Sequence, residues 1–228
     1  VALRLITSRE AEIEDFNPQE YWSITADCQT EVPEIFQARV IHAYNEKIEK
    51  LTIENQEQAD KIVSGLKNKD FTVKSVEKKQ VKRSPQPPFT TSTLQQESVR
   101  KLSMSLSNTM RTAQKLYEGI NIGGETVGLI TYMRTDSTRV AGTALTEGRE
   151  YVEKTYGQNY LPSKAVVYRS KKGAQDAHEA IRPTSVWLSP DRAKTHLGQD
   201  EFRLYELIWK RFVASQTKPA LFDQTEIE

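Results

Sequence analysis

The sequence predicts an α+β fold in which a strand-rich domain is interrupted by an inserted, mainly helical one. Three observations carry this. Apolar residues alternate in the first third of the chain, at Trp22, Ile24, Ala26 and Cys28 and again at Phe36, Ala38 and Val40, the period-2 pattern of half-buried strands. Helical periodicity takes over across 89–217, and strand character returns at 221–227. Proline marks both crossings, at Pro85-Gln86-Pro87-Pro88 and at Lys218-Pro219, where neither helix nor strand continues easily. Leaving and re-entering through adjacent linkers is the pattern of one domain inserted into another. The boundaries read this way are a helix at 1–18, a strand-rich part at 19–86, a mainly helical part at 87–217 and a return at 218–228.

The elements follow in order. Leu5, Ile6, Ile13 and Phe16 share part of one helical face, and Asn17-Pro18 ends that helix. Strands are expected at 21–28 and 35–44, with a short third around 48–53. Asn55 with Gln58 resembles a capping box ahead of Ala59, Ile62, Val63 and Leu66. A strand is expected over 71–81, then a helix over 93–106 and a second capped by Ser107 and ended by Gly119. Gly123-Gly124 makes a turn into a strand over 126–133, followed by a helix over 138–156, a short strand at 166–169 and a short helix at 174–181. Ser189-Pro190 starts a further helix by the N-cap and Pro-at-N1 rule. Asp200 is expected to cap the last one, with Phe202, Tyr205, Ile208, Trp209 and Phe212 on its apolar face.

Composition narrows the class. The chain has 228 residues, 28% charged and 37% hydrophobic, as ordinary soluble globular domains do. No apolar run approaches the roughly 18 residues that span a bilayer. Val1 is read as a boundary inside a longer polypeptide, since the chain opens without Met in helix-forming sequence. One cysteine, Cys28, excludes an internal disulfide and a four-cysteine zinc site, and makes a reducing cytoplasm the expected setting. A net charge of +1 gives no global nucleic-acid signal. Local charge does. From Lys78 to Lys115 the basic residues are Lys78, Lys79, Lys82, Arg83, Arg100, Lys101, Arg111 and Lys115, Glu97 is the sole acid, and hydroxyl and amide side chains such as Thr91 and Gln95 are interleaved. Such a stretch suits a phosphate backbone, or is simply a solvated face. Arg169, Lys171 and Lys172 add a second basic spot.

The densest chemistry is Gly128 to Ser137. If the chain stays extended through Asp136, then Tyr132, Arg134 and Asp136 point the same way. A phenol has a pKa near ~10 and is a poor nucleophile at neutral pH. An adjacent guanidinium stabilises the phenolate and matches phosphate geometry. Asp136 could orient Arg134 or cap the following helix. The bland alternative is a half-buried tyrosine beside a surface ion pair. In Gln175 to Pro183, His178 and Arg182 share a helical face with Glu179 beside Arg182, a possible phosphate clamp or a solvated helix with an internal pair. His178 has no second His or Cys at ligand spacing, so no metal site is expected. The glycines lack a following Gly-Lys-Ser/Thr, so no ATP site is indicated.

The run ITYMRTDS at 130–137 resembles the active-site motif of bacterial type IA DNA topoisomerases. PPFTTSTLQQ (87–96), AHEAIRP (177–183) and LYELIW (204–209) resemble further signatures of that family, in the same order, and VALRL at the start resembles the segment leaving the domain next to the family's metal-binding domain. The likeness covers essentially the whole chain, and Met133 after the tyrosine favours the topoisomerase I branch over topoisomerase III, where proline is usual. The resemblance implies that Tyr132 is the nucleophile forming a 5′-phosphotyrosine bond. Arg134 would hold the scissile phosphate, with His178 in the site as a further catalytic residue. Arg182, Asp136, Thr135, Gln95 and Arg4 would contact DNA. It implies relaxation of negative supercoils without ATP, a helical gate moving on a strand-rich arch, and single-stranded DNA at the cleavage site. Magnesium would be held by an N-terminal domain outside these residues, the remaining domains of the same polypeptide would be partners, and the location would be cytoplasmic and nucleoid-associated. Relaxation by these residues alone is not expected. The alternatives are a non-catalytic single-stranded DNA-binding module and a purely structural scaffold. Tyrosine recombinases also use a tyrosine with arginines, but their motif order is not seen.

Overall fold

The structure, a computed structural model, describes residues 1–29, 34–67, 69–168 and 178–228. Two compact units are present, residues 1–74 and 75–228. Helices and strands are both present without a large parallel sheet, so the fold is α+β.

In the first unit, α1 (Ala2–Glu14) buries none of its residues, and the Leu5, Ile6 and Ile13 stripe is exposed. It ends at Glu14, earlier than Asn17-Pro18, with Asp15 as its C-cap. β1 (Thr25–Gln29) and β2 (Ile35–Arg39) pair antiparallel, Thr25 facing Arg39 and Gln29 facing Ile35. Along β1 only Ala26 and Cys28 are half-buried, the parity expected from the alternation. The expected strand at 35–44 is broken by a bend, and β3 (His42–Ala43) pairs with β4 (Glu46–Lys47). The third strand placed at 48–53 is not formed. The chain turns at 49–52 and buries Ile53, whose carbonyl accepts the Trp22 N–H at 2.9 Å. α2 (Gln56–Leu66) starts as expected, Asn55 Oδ1 accepting the Gln58 N–H at 3.0 Å. The Gln58 side chain reaches back to the Glu54 N–H, one residue earlier than the capping-box geometry requires.

The second unit begins and ends as one ribbon. β5 (Val76–Arg83) and β8 (Ala220–Ile227) pair antiparallel along their whole length, from Val76 opposite Ile227 to Arg83 opposite Ala220. The helical residues therefore leave and return at neighbouring points. They form α3 (Thr91–Leu102), α4 (Leu106–Glu118), the hairpin β6 (Ile120–Ile122) with β7 (Glu125–Val127), α5 (Gly142–Tyr156), α6 (Pro190–Ala193) and α7 (Gln199–Ser215). The apolar face of α7, with Leu204, Tyr205, Ile208, Trp209 and Phe212 all buried, packs against α3, α4, α5 and α6.

Several expectations are corrected. The helix drawn over 93–106 stops at Leu102, where Ser103 takes the left-handed conformation at φ 55° and the chain reverses to bury Met104. Ser105, not Ser107, then caps α4, its hydroxyl accepting the Asn108 N–H at 3.2 Å. Gly198, not Asp200, is the N-cap of α7, because the Glu201 carboxylate reaches back to the Gly198 N–H at 2.9 Å. Asp200 sits within the first turn, where negative charge suits the helix dipole, and accepts from the Asn108 amide at 2.8 Å. The strand drawn to Met133 ends at Val127, and α5 starts at Gly142 rather than 138. Residues 166–168 are not a strand; residue 169 lies outside the described residues. Of the helix placed at 174–181, residues 174–177 lie outside the described residues, and 178–181 are extended.

Candidate functional site: an exposed tyrosine on a pinned loop

Residues 128–137 leave the β6–β7 hairpin without joining a regular strand, yet the backbone is held on both flanks. On one flank it meets residues 180–184. The Thr131 N–H donates to the Arg182 carbonyl at 2.9 Å, and the Thr131 hydroxyl donates to the Ala180 carbonyl at 2.7 Å. The Arg182 N–H returns a bond to the Thr131 oxygen at 3.0 Å, and Ile130 and Pro183 form a bridge. The Thr184 N–H and hydroxyl bond the Leu129 and Gly128 carbonyls. On the other flank, Thr91 in the first turn of α3 donates its N–H to the Thr135 carbonyl at 2.8 Å. Its hydroxyl donates to the Met133 carbonyl at 2.7 Å and accepts the Thr135 N–H at 2.8 Å. Residues 180–184 are themselves tied back, Ile181 donating to the Phe89 carbonyl at 2.8 Å.

Pinned this way, side chains alternate. Met133, Thr135 and Ser137 are buried, while Tyr132, Arg134 and Asp136 are exposed. The one-sided arrangement expected of an extended chain is present without a ladder to enforce it. Tyr132 is 40% exposed, and among the described residues neither its hydroxyl nor the Arg134 guanidinium takes a hydrogen-bond or ion-pair partner. The expected Asp136–Arg134 pair is therefore not formed, and Asp136 does not cap α5, whose N-cap is Ala141.

His178 does reach the tyrosine, though from an extended segment and not from a helix. Its ring meets the Tyr132 ring edge-on, centroids 5.8 Å apart. Tyr117, at the end of α4, makes the matching contact at 5.4 Å on another element. Tyr117 was not singled out from the sequence. The four-residue step from Tyr117 to Asn121 into a Gly-Gly turn could have flagged that the chain folds back there, but not which ring it would meet. Gly128 makes the close approach possible: a Cβ there would lie 2.7 Å from the Tyr117 carbonyl oxygen.

The other expected site residues differ in burial and partners. Arg182 is not on a helix with His178. Its side chain is only 11% exposed, paired with Glu179 at 2.8 Å and bonded to the Pro183 carbonyl at 2.9 Å. Glu179 also accepts the Ala141 N–H at 3.2 Å, so the pair fastens the loop before α5. Thr135 is buried, and its hydroxyl accepts the Ser137 N–H at 3.0 Å. Through that bond it helps hold the loop. Gln95 is half-buried on α3, and Arg4 is exposed on α1 in the other compact unit.

The basic stretch is partly neutralised. Glu97 pairs with Arg100 and with Lys101 at 2.6 Å, and lies 3.4 Å from Arg211. Lys115 meets Glu201 at 3.4 Å and Lys79 meets Glu226 at 3.2 Å. The hydrogen bond from Lys101, with the charges of Arg100 and Arg211, holds the Glu97 carboxyl below the usual carboxylate range against the opposing effect of burial. Burial lowers the pKa of the Arg211 guanidinium, which stacks 4.4 Å over the Phe89 ring. This cluster thus supports the 87–91 segment behind the loop. The basic spot at Arg169, Lys171 and Lys172 lies outside the described residues. Among the described residues no group of three or more His, Cys, Asp or Glu side chains is placed to hold a metal. They do not fit magnesium, and no step is assigned to it. Among the described residues no helix is long and apolar enough to cross a membrane.

An exposed phenol near an exposed guanidinium can supply a nucleophile and a phosphate contact. A family model for DNA topoisomerase matches residues 1–228. The chain is 50% identical over 224 residues to DNA topoisomerase 1 of Rickettsia felis, covering 98% of this chain and 29% of that protein. It is 49% identical to DNA topoisomerase 1 of Rickettsia prowazekii over the same share of each. The structure of full-length topoisomerase I from Thermotoga maritima superposes with a TM-score of 0.79 at 36% identity, covering 99% of this chain and 34% of that one. The chain belongs to the bacterial type IA DNA topoisomerase family. It spans about a third or less of the length of these relatives.

Proposed function

We propose that this chain is the part of a type IA topoisomerase that cuts and reseals one DNA strand, with Tyr132 as the nucleophile. The observation that carries the reading is the Tyr132 phenol, exposed, without a hydrogen-bond partner, and two residues from an equally free Arg134 on the same side of a pinned loop. The Tyr132 oxygen attacks the scissile phosphorus and gives up its proton. The bond from phosphorus to the 3′ oxygen of the neighbouring sugar breaks, and that oxygen takes up a proton. The strand is then left as a 3′-hydroxyl and a 5′-phosphotyrosine. The reverse transesterification reseals it. One phosphodiester replaces another at each step, so no ATP is consumed. Arg134 holds the non-bridging oxygens and stabilises the charge that gathers there. His178, against the Tyr132 ring, fixes the phenol's orientation and lies within the site. Asp136, exposed on the same side as Arg134, is the next candidate to meet DNA.

The fold supports the moving-gate reading in one respect: the helical part hangs from adjacent strands β5 and β8. Passage of a second strand, relaxation of negative supercoils, the arch, and magnesium held by residues outside these are the expectations of the family for the whole enzyme. The partners are DNA, single-stranded where it is cut, and the rest of the same polypeptide, in the bacterial cytoplasm.

Covalent capture tests the reading. The chain is mixed with labelled single-stranded DNA and magnesium, with and without the N-terminal region of a relative added in trans, and then denatured. An adduct that disappears in Tyr132→Phe is the expected result. An adduct of equal yield in Tyr132→Phe refutes Tyr132 as the nucleophile. Binding without any adduct favours the second reading, a single-stranded DNA-binding module.

A further inference from the structure

We infer that Tyr117 is a stacking platform for a single unstacked base next to the scissile phosphate. This goes beyond the role given to Tyr132 and rests on it. Tyr117 belongs to α4, yet it is 40% exposed at the helix end nearest the loop. Its ring stands edge-on to Tyr132 at 5.4 Å with an interplanar angle of 64°. The two rings are not stacked face to face, and Tyr117 keeps 40% of its surface exposed beside the nucleophile. Successive nucleotides of a strand are spaced about 3.4 Å apart when stacked and more when extended. A ring 5.4 Å from Tyr132 thus falls within one or two nucleotides of a phosphate held there. An exposed aromatic ring at that distance from a sugar–phosphate backbone is suited to take a base, and such stacking tolerates any base identity because every base has a π-face.

The placement is built, not incidental. The Leu129 N–H donates to the Leu116 carbonyl at 2.7 Å, so the helix end and the loop are joined by a backbone bond one residue from Tyr117. Gly128 lets the loop run against the Tyr117 carbonyl. Among the described residues the Tyr117 hydroxyl has no hydrogen-bond partner, so no interior bond explains the choice of tyrosine.

The test is a scan of single abasic sites through a short single-stranded oligonucleotide that the chain cleaves at one position. Equilibrium binding is measured for wild type, Tyr117→Phe and Tyr117→Leu. Loss of one stacked base is worth roughly 1–3 kcal/mol, which corresponds to about a 5- to 150-fold weakening. Wild type and Tyr117→Phe should show that drop at one position within two nucleotides of the cut. Tyr117→Leu should bind intact and abasic strands alike at that position. Because each variant is compared with itself, a general loss of folded protein does not imitate the result. The same position effect in Tyr117→Leu, a flat wild-type profile, or no binding overturns the inference. Capture with Tyr132→Phe is run beside it. Its failure to abolish the adduct would sink the nucleophile, whereas a persistent Tyr117-dependent abasic effect would still locate the base.

Discussion

Among the described residues the Tyr132 hydroxyl has no hydrogen-bond partner, whereas its ring contacts those of Tyr117 and His178. Tyr132→Phe should therefore abolish the adduct while shifting stability by no more than about 0.5 kcal/mol, as expected for a surface change that breaks no bond; a thermal melt checks it. Thr91 is the opposite case. Its hydroxyl joins Met133 and Thr135 and was legible only as part of a polar stretch that suits a phosphate backbone or is a solvated face. Thr91→Val leaves the Thr135 N–H without an acceptor and should cost about 1–3 kcal/mol in urea unfolding, with lower capture yield. The exposed trio Tyr132, Arg134 and Asp136 could be read from alternation because burial of Met133, Thr135 and Ser137 sets the parity. Tyr117 could not, because its meaning comes from an element that is remote until the chain folds back. The loop-holding bonds of Thr135 and Arg182 were not legible for a related reason: membership of a dense polar motif does not say which members hold the loop.

At the level of elements, α4 and the loop meet at Gly128. Gly128→Ala pushes a Cβ to 2.7 Å from a backbone oxygen that has little freedom to give. A loss of about 1–3 kcal/mol is expected. Gly142→Ala, at the first residue of α5 with nothing within 4 Å, is the matched control and should be neutral or slightly stabilising. α3 supplies a pH prediction. Its Glu97 carboxyl titrates lower in the folded chain than in the unfolded one. The stability it contributes is complete above the unfolded value of about 4.3 and fades as the pH falls through the folded value. Melts of wild type and Glu97→Gln should differ at pH 7, and the difference should shrink as the pH falls below the unfolded value and through the folded one; a constant gap would contradict the assignment. Helix starts such as Asn55 and Ser189-Pro190 were visible because side chains or proline mark them. The break at Ser103 was not, since it arises from burying Met104 and carries no glycine or proline. The His178 segment failed as a helix because its backbone bonds to Phe89 and Thr131 instead of to itself.

For the whole molecule, a net charge of +1 means that DNA affinity has to come from a few local cations. Each phosphate neutralised on a single strand contributes about −0.7 to the slope of log K against log salt. Arg134→Gln should reduce the magnitude of that slope by about one such increment, and an unchanged slope would remove Arg134 from the phosphate. The prolines led to the expectation of an insertion, while the register that joins Arg83 to Ala220 became visible only in the fold. That register has a mechanical corollary. Ser75 and Glu228, at the open end of the ribbon, exchange backbone bonds of 2.9 and 3.0 Å. Tension applied between those two residues loads one rung at a time, so the ribbon unzips progressively from that end. Under a pulling force the two strands should part at low load and reach Arg83 and Ala220 while the helices around α7 are still intact, making the stem a mechanical fuse for the body it carries.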